Sequence, residues 1–365
     1  MASEERGLVA ITGANGTIGY ASVLHALRTG YCVRCIVRRE DAISEIKAGP
    51  SLKKFADKVE YAIVPDNTLP GAYDKALKEV DFVVHVAGVW PKPNYHPDNE
   101  IWIPFVKSME NILSASKKSG TVKRVVFTQA GAGLVNPDDG DTLGTAMDKI
   151  LDEYVKPNAA SAAFRPPLKS PHHAYCGAKA YCMTYLKDLK TKGDLPFSVA
   201  QVIPGTVMGP SELVKTAEDA KKHMDRMSTT FLFNTPKPRY AFGFVHVDDC
   251  ARVHVEALDS SLVPDSDLPD WFVAAATTEP TRNGIEEIWF RVADVVKKTF
   301  PEEVANDTFK IGRENWPINV PFRVDSGKTE KMLMGGGKFK SLSECVMGIG
   351  EWYLGLLEKE TRTLK

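Results

Sequence analysis

The chain has 365 residues, of which 43% are hydrophobic and 25% charged, and its formal net charge is −1. That size and apolar content support one large domain, or a major and a minor one, with a sizeable core. Balanced charge without a long run of one sign excludes nucleic acid as an expected partner, and no apolar run approaches the ~18 residues of a membrane span.

The polar stretch 1–7 runs straight into an apolar segment, so no signal peptide is expected and the protein is read as cytoplasmic. Leu8-Val9-Ala10-Ile11, ended by glycine, has the pattern of a fully buried parallel strand. A helix is predicted over 18–28, then strands over 31–37, 59–64 and 82–87. A helix over about 101–117 leads to a strand over 124–128, and the basic cluster Lys117-Lys118 to Lys123-Arg124 is read as a solvated helix end. Residues 131–170 form an excursion too long for a tight connection, with one helix-like segment over about 145–155. A helix over 175–190 and a strand over 197–203 follow. This alternation implies right-handed βαβ units and an α/β, Rossmann-type doubly wound parallel sheet.

After Gly209 the alternation weakens. Residues 211–229 look helical, and a strand over 244–247 leads into a helix to 258, with Asp248 and Asp249 read as N-capping residues. Helices are also predicted near 285–300 and over 341–359. The expected division is a cofactor domain, 1–205 and 241–260, and a smaller substrate lobe, 206–240 and 261–365. The six cysteines are expected as thiols. Cys32-x-x-Cys35 lies within a strand and has no second Cys or His pair nearby, so no metal is expected.

Two motifs about 160 residues apart carry the chemistry. The first is Thr12-Gly13-Ala14-Asn15-Gly16-Thr17-Ile18-Gly19. Gly13 permits the tight turn, Gly16 lets backbone approach a pyrophosphate, and Gly19 allows close helix–sheet packing. The N-terminus of the following helix offers N–H groups and a positive dipole end to phosphates. An acidic residue at the end of the second strand would select NAD. Here Arg38 and Arg39 stand there, and a planar guanidinium suits a 2′-phosphate, so the expected cofactor is NADP. Asp66 is either an acceptor for the adenine amino group or a plain turn residue. Val86, Ala87 and Gly88 offer small side chains where backbone meets cofactor.

The second motif is Tyr175-Cys176-Gly177-Ala178-Lys179. Tyr175 and Lys179, at i and i+4, project from one helix face. A phenol is a poor acid or base at neutral pH unless a neighbouring ammonium favours its phenolate. In a carbonyl reduction Tyr175 would give the proton while the hydride arrives from the nicotinamide, and Lys179 would also hold the ribose.

With these segments in order, the chain resembles an extended short-chain dehydrogenase/reductase, and within that family the dihydroflavonol reductases and the fungal and yeast NADPH aldehyde or ketone reductases. The resemblance rests on 8–19, 31–38, 81–88, 104–111, 122–128, 175–179, 203–210, 244–249 and 325–328. It implies a Rossmann NADPH domain, a C-terminal substrate lobe, and Ile203, Pro204 and Val207 near the nicotinamide. It also implies a small-molecule carbonyl substrate, a monomer or homodimer, and a role in secondary metabolism.

One position departs from the family. Its usual Thr-Ser-Ser reads Thr128-Gln129-Ala130 here, so the hydroxyl that binds the substrate carbonyl is missing. Loss of one such donor costs about 2.7–4 kcal/mol of barrier. Three readings stay open: Thr128, Gln129 or a water replaces the donor and the enzyme is a reductase; the site runs an isomerisation, dehydration or cyclisation with Tyr175 as acid or base; or the protein is a weakly active NADP-binding partner. Val89-Trp90-Pro91, Phe164 and the region 208–233 are candidate apolar walls for the substrate. His172 and His173 are read as exposed residues at a helix start, and His246 as structural.

Overall fold

Strand β1 (Leu8–Thr12) is buried along nearly its whole length, so it fits only inside a sheet covered on both faces. The computed structural model describes residues 6–139, 150–235, 243–277, 285–312 and 323–363. After β1 come α1 (Thr17–Arg28), β2 (Cys32–Val37), α2 (Glu40–Lys47), β3 (Val59–Ile63), β4 (Phe82–His85), α3 (Ile103–Ser119) and β5 (Arg124–Thr128). The chain continues through β6 (Ile150–Leu151), α4 (Ala159–Ala162), α5 (Pro171–Lys192), β7 (Ser198–Pro204) and β8 (Thr206–Met208). Then follow α6 (Ala217–His223), α7 (Arg226–Phe233), β9 (Phe244–His246), α8 (Val247–Glu256) and β10 (Phe272–Ala274). The last elements are α9 (Ile285–Thr299), α10 (Pro301–Ala305), β11 (Arg323–Val324), α11 (Gly327–Leu333) and α12 (Leu342–Thr363).

Seven parallel strands form the main sheet in the order β10-β7-β5-β4-β1-β2-β3. The order reverses between β1 and β4, which opens a crevice at the C-terminal ends of those two strands. On one face, Val23 and Leu27 of α1 join Cys250 and Val253 of α8 over Ile11, Val33 and Val202. On the other, Met109 and Ile112 of α3 and Leu186 of α5 cover Val83, Val125 and Val199. A separate core gathers Met227 and Phe231 of α7, Val292 and Val296 of α9, Phe300, Phe309, and Val346, Ile349 and Tyr353 of α12.

Several elements differ from expectation, each for a local reason. Of the helix expected over 145–155, residues 145–149 lie outside the described residues. Ile150 and Leu151 instead form β6, which pairs in parallel with β11. Asp152 then closes a turn by accepting the Tyr154 N–H at 2.9 Å, and buried Glu153 accepts the Thr329 N–H at 2.8 Å. The helix expected over 211–229 is two helices, because Thr216 caps α6 and Asp225 caps α7. Residues 272–274, assigned to the second lobe, add strand β10 to the main sheet. The boundary at 240/241 lies outside the described residues.

Arg124 is no solvated helix end. It is 1% exposed and donates to Ser198 Oγ, Ala257 O and Val263 O at 2.8, 3.0 and 2.9 Å. It also pairs with Asp265. The cap of α8 is His246, whose Nδ1 accepts the Asp248 N–H at 3.2 Å. Asp248 and Asp249 sit in the first helical turn instead, where their charge suits the dipole. All six cysteines are free thiols. Among the described residues no His/Cys/Asp/Glu group is arranged to hold a metal, and no helix is long and apolar enough to cross a membrane.

Candidate active site

The crevice at the end of β1 is formed by the glycine turn. Gly13 has φ +65°, and a Cβ there would lie 3.1 Å from Ala87 Cα. At Gly19 a Cβ would lie 2.0 Å from Gly13 O, so only glycine lets α1 start this close to the strand end. Gly16 occupies the cap position of α1 without a side-chain hydrogen bond, and the first turn holds no acidic residue. Its first-turn N–H groups are therefore open to an anion, which is what a pyrophosphate requires. Gly16 is exposed and Thr17 and Ile18 partly so. Asn15 donates to Glu45 Oε2 at 3.1 Å, which ties the turn to α2.

Thr12, the first residue of the motif expected to bind the cofactor, is buried, and its hydroxyl is committed inside the protein. Its Oγ1 accepts the N–H groups of Val86 and Ala87 at 3.1 and 3.0 Å and lies 2.9 Å from His85 Nδ1. Both lone pairs of Thr12 are thus occupied, so its proton goes to His85 Nδ1 and the ring proton sits on Nε2. Nε2 faces Ser108 Oγ at 3.2 Å, and Ser108 meets the Tyr73 hydroxyl at 3.2 Å. Burial first, and the Lys179 charge second, lower the His85 pKa to about 3 and keep the ring neutral. This relay fixes the β1 and β4 ends, and sequence reading missed it. Its one signal was a lone His inside an otherwise apolar strand.

Arg38 at the end of β2 is exposed and, among the described residues, makes no ion pair, whereas Arg39 Nε is held by Asp41 Oδ1 at 3.1 Å. Asp66, also exposed, closes a turn by accepting the Thr68 N–H and hydroxyl at 2.8 and 2.6 Å. Those bonds lower its pKa. Val86, Ala87 and Gly88 line the crevice beyond β4, and Pro204 and Val207 stand, partly exposed, where β7 gives way to β8.

Helix α5 positions the second motif. Ser170 caps it by accepting the His173 N–H at 3.2 Å, and Pro171 opens it. Tyr175 is half-buried, with the rings of Phe105 and Trp90 at 5.6 and 6.0 Å from its own. Its hydroxyl has no hydrogen-bond partner among the described residues. Burial pushes its pKa well above the usual phenol value. The expected lowering by Lys179 is absent because that ammonium is turned elsewhere. It donates to Thr128 O at 2.9 Å and lies 4.4 Å from the centre of the Phe105 ring. Burial lowers the Lys179 pKa to about 8.

The two side chains expected to replace the missing donor are bonded to other side chains. Thr128 Oγ1 meets His254 Nε2 at 2.9 Å, and the buried Gln129 amide donates to Gln201 Oε1 at 2.8 Å. Ala130 packs with Tyr175 against one apolar cluster. The walls are aromatic: Phe105, Phe164 and Tyr95 pack on a common cluster with Val89, and Trp90 is 65% exposed. Phe105 is a further residue the sequence reading missed. His172 is exposed as expected, but His173 is buried, stacked on Phe164 at 3.8 Å, with Nε2 3.5 Å from Asp138 Oδ2.

The profile described as the NAD dependent epimerase/dehydratase family matches residues 9–266. The chain is similar to the NAD-dependent epimerase/dehydratase ALT6 of Alternaria alternata, 30% identical over 320 residues that cover 82% of this chain and 84% of that protein. It is also similar to ketoreductase CTB6 of Cercospora nicotianae, 28% identical over 97% of this chain and 96% of that one. Among solved structures it is similar to yeast methylglyoxal/isovaleraldehyde reductase Gre2 complexed with NADPH, with a TM-score of 0.73 and 21% identity over 96% of this chain and 99% of that one.

Proposed function

The chain belongs to the NAD dependent epimerase/dehydratase family of extended short-chain dehydrogenases/reductases, and from that premise we propose that it is an NADPH-dependent reductase of an aldehyde or ketone on a small, largely apolar molecule. The observation that carries this reading is the setting of Tyr175: a neutral, unpartnered phenol between two aromatic rings, one helical turn from a buried ammonium.

The uncapped start of α1 would hold the pyrophosphate, Arg38 the 2′-phosphate, Asp66 the adenine, and Val86, Ala87, Gly88, Pro204 and Val207 the nicotinamide half. Bound NADPH supplies the hydride. Tyr175 gives its hydroxyl proton to the carbonyl oxygen and later regains one from water, while the Lys179 ammonium, held on Thr128 O, would hold the nicotinamide ribose. Trp90 and Phe105 shield the reacting carbonyl from water. Residues 1–205 and 241–260 hold the cofactor in this reading. Residues 206–240 and 261–365, apart from β10, shape the substrate side.

Fluorescence titration with NADPH tests the cofactor site, and a panel of carbonyl compounds followed by NADPH absorbance tests the reaction. Saturable binding and oxidation of NADPH are expected. Ala130, with Thr128 and Gln129 bonded to His254 and Gln201, favours a second reading: an isomerase, dehydratase or cyclase in which Tyr175 works as acid or base. NADPH that binds but is never oxidised by any carbonyl would decide for it.

A further inference from the structure

A carbonyl oxygen offers two lone pairs, and both need a donor as negative charge grows on it during reduction. Tyr175 serves one. Where the second donor is expected, the side chain is the Ala130 methyl, packed with Tyr175 against the same apolar cluster. The neighbouring donors are already committed. His254 Nδ1 lies 2.7 Å from Cys250 O, which only accepts, so Nδ1 carries the ring proton and Nε2 accepts from Thr128. Burial keeps that ring neutral, with its pKa near 4. The Gln129 amide is bonded to Gln201.

Resting on the reductase reading, we propose that the substrate brings the second donor itself: the site takes planar ketones whose own hydroxyl closes an internal hydrogen bond to the carbonyl, as in an ortho-hydroxyaryl ketone or the enol of a diketone. A ketone without such a hydroxyl would bury an unsatisfied lone pair against the Ala130 methyl, which is unfavourable. A chelated ketone presents that side already satisfied. Its internal O–H···O bond becomes charge-assisted, and stronger, as the oxygen gains charge. The flat, conjugated frame also fits the rings of Trp90 and Phe105, 6.0 and 5.6 Å from that of Tyr175. In the step, the carbonyl carbon takes the hydride of NADPH and the C=O π pair moves onto oxygen. The Tyr175 proton then lands on that oxygen. The ketone is reduced to an alcohol, NADPH is oxidised, the substrate hydroxyl is unchanged, and Tyr175 regains a proton from water.

The test pairs ortho- with para-hydroxyacetophenone, and ortho-hydroxy with remote-hydroxy acetylnaphthalenes, as substrates for the full chain with NADPH. Wild type is expected to favour the ortho isomers by about 10²-fold in kcat/KM, most of it in kcat, because the bond strengthens only as charge develops. Ala130→Ser supplies a protein hydroxyl and should raise the rate on the para and remote isomers about tenfold or more, shrinking the preference. Ala130→Gly adds no hydroxyl and should keep the ratio; thermal melts verify that both variants fold. Equal rates on both isomers in wild type, or an unchanged ratio in a folded Ala130→Ser, would overturn the proposal. So would a Trp90→Phe variant that slows both isomers alike, which would assign the donor to the indole N–H. If NADPH binds but no ketone oxidises it, in wild type or Ala130→Ser, the reductase reading itself falls and takes this inference with it.

Discussion

At the N-terminal edge of the main sheet, Lys123 Nζ lies 2.8 Å from Asp81, which also accepts the Leu8 N–H at 2.9 Å. Arg124 ties β5 to Ser198, Ala257, Val263 and Asp265, and Lys190 donates to the carbonyls of Leu268 and Pro269. At the C-terminal edge, roughly 16 Å away along a five-residue strand, the Tyr175 hydroxyl has no partner among the described residues. There Arg38 is exposed and outside any ion pair, and α1 starts without a side-chain cap. Satisfied polar groups lock a fold; unsatisfied ones held in place by packing are available to a ligand. One edge therefore carries stability and the other is open to a ligand, and in the proposed reading a substitution should move one property without the other.

The largest effect expected is Tyr175→Phe. It removes the proton donor and should lower kcat by about 10²–10⁴-fold. Because the hydroxyl makes no hydrogen bond among the described residues, unfolding free energy should stay within about 0.5 kcal/mol. A large loss of stability in urea titrations would mean that the active edge also holds the fold together. Arg124→Met is the opposite case. Removing this buried guanidinium leaves the buried Ala257 and Val263 carbonyls without their donor, which should cost about 1–3 kcal/mol for each, while kcat per folded molecule stays within a few-fold. Urea unfolding and active-site-normalised rates measure the two sides.

This division also marks what the sequence made legible. The Gly13–Gly19 turn and the Tyr175/Lys179 spacing follow from local rules, a strand end opening a helix and a one-turn repeat, and the structure displays both elements. Arg124 looked like a solvated cation because its carbonyl partners lie more than 130 residues further on. Thr128 and Gln129 looked available because their partners, His254 and Gln201, are 126 and 72 residues away. The pairing of β6 with β11 was hidden likewise, since two-residue strands carry no period of their own. Local pattern thus placed the scaffold and the helix that carries Tyr175 and Lys179. Which polar groups remain uncommitted depended on long-range partners.

Arg38→Ala tests the edge at its outer end. A charge-assisted contact to a 2′-phosphate is worth about 1.5–3 kcal/mol, so NADPH affinity should fall by about 10–10²-fold. NADH affinity and stability should hardly change, because Arg38 makes no ion pair among the described residues. Fluorescence titration with both nucleotides reads this directly, and equal losses for the two would place Arg38 away from the 2′-phosphate.

The smallest effect is expected where the two roles meet, at His85. Its pKa falls from 6.5 to about 3 on folding, chiefly by burial. A depressed histidine pKa means that the unfolded chain binds the extra proton. The stability this neutral ring contributes is therefore present above pH 6.5 and is lost as pH falls toward 3, about 2 kcal/mol of it between pH 7 and pH 5. Protonation would also put a hydrogen on Nδ1, facing the one that Thr12 already donates. Thr12 would then have to turn and release the Val86 and Ala87 N–H groups. NADPH affinity should accordingly weaken in the same window as stability. His85→Asn keeps an acceptor near Thr12 but cannot titrate there, so its unfolding free energy should fall less steeply with acid than that of wild type. The buried, neutral His254, at about 4, together with His223 and His246, whose pKa values burial also lowers, would account for the slope that remains. A variant with the full wild-type slope would assign the whole acid limb to those other histidines and leave the Thr12–His85 contact insensitive to pH.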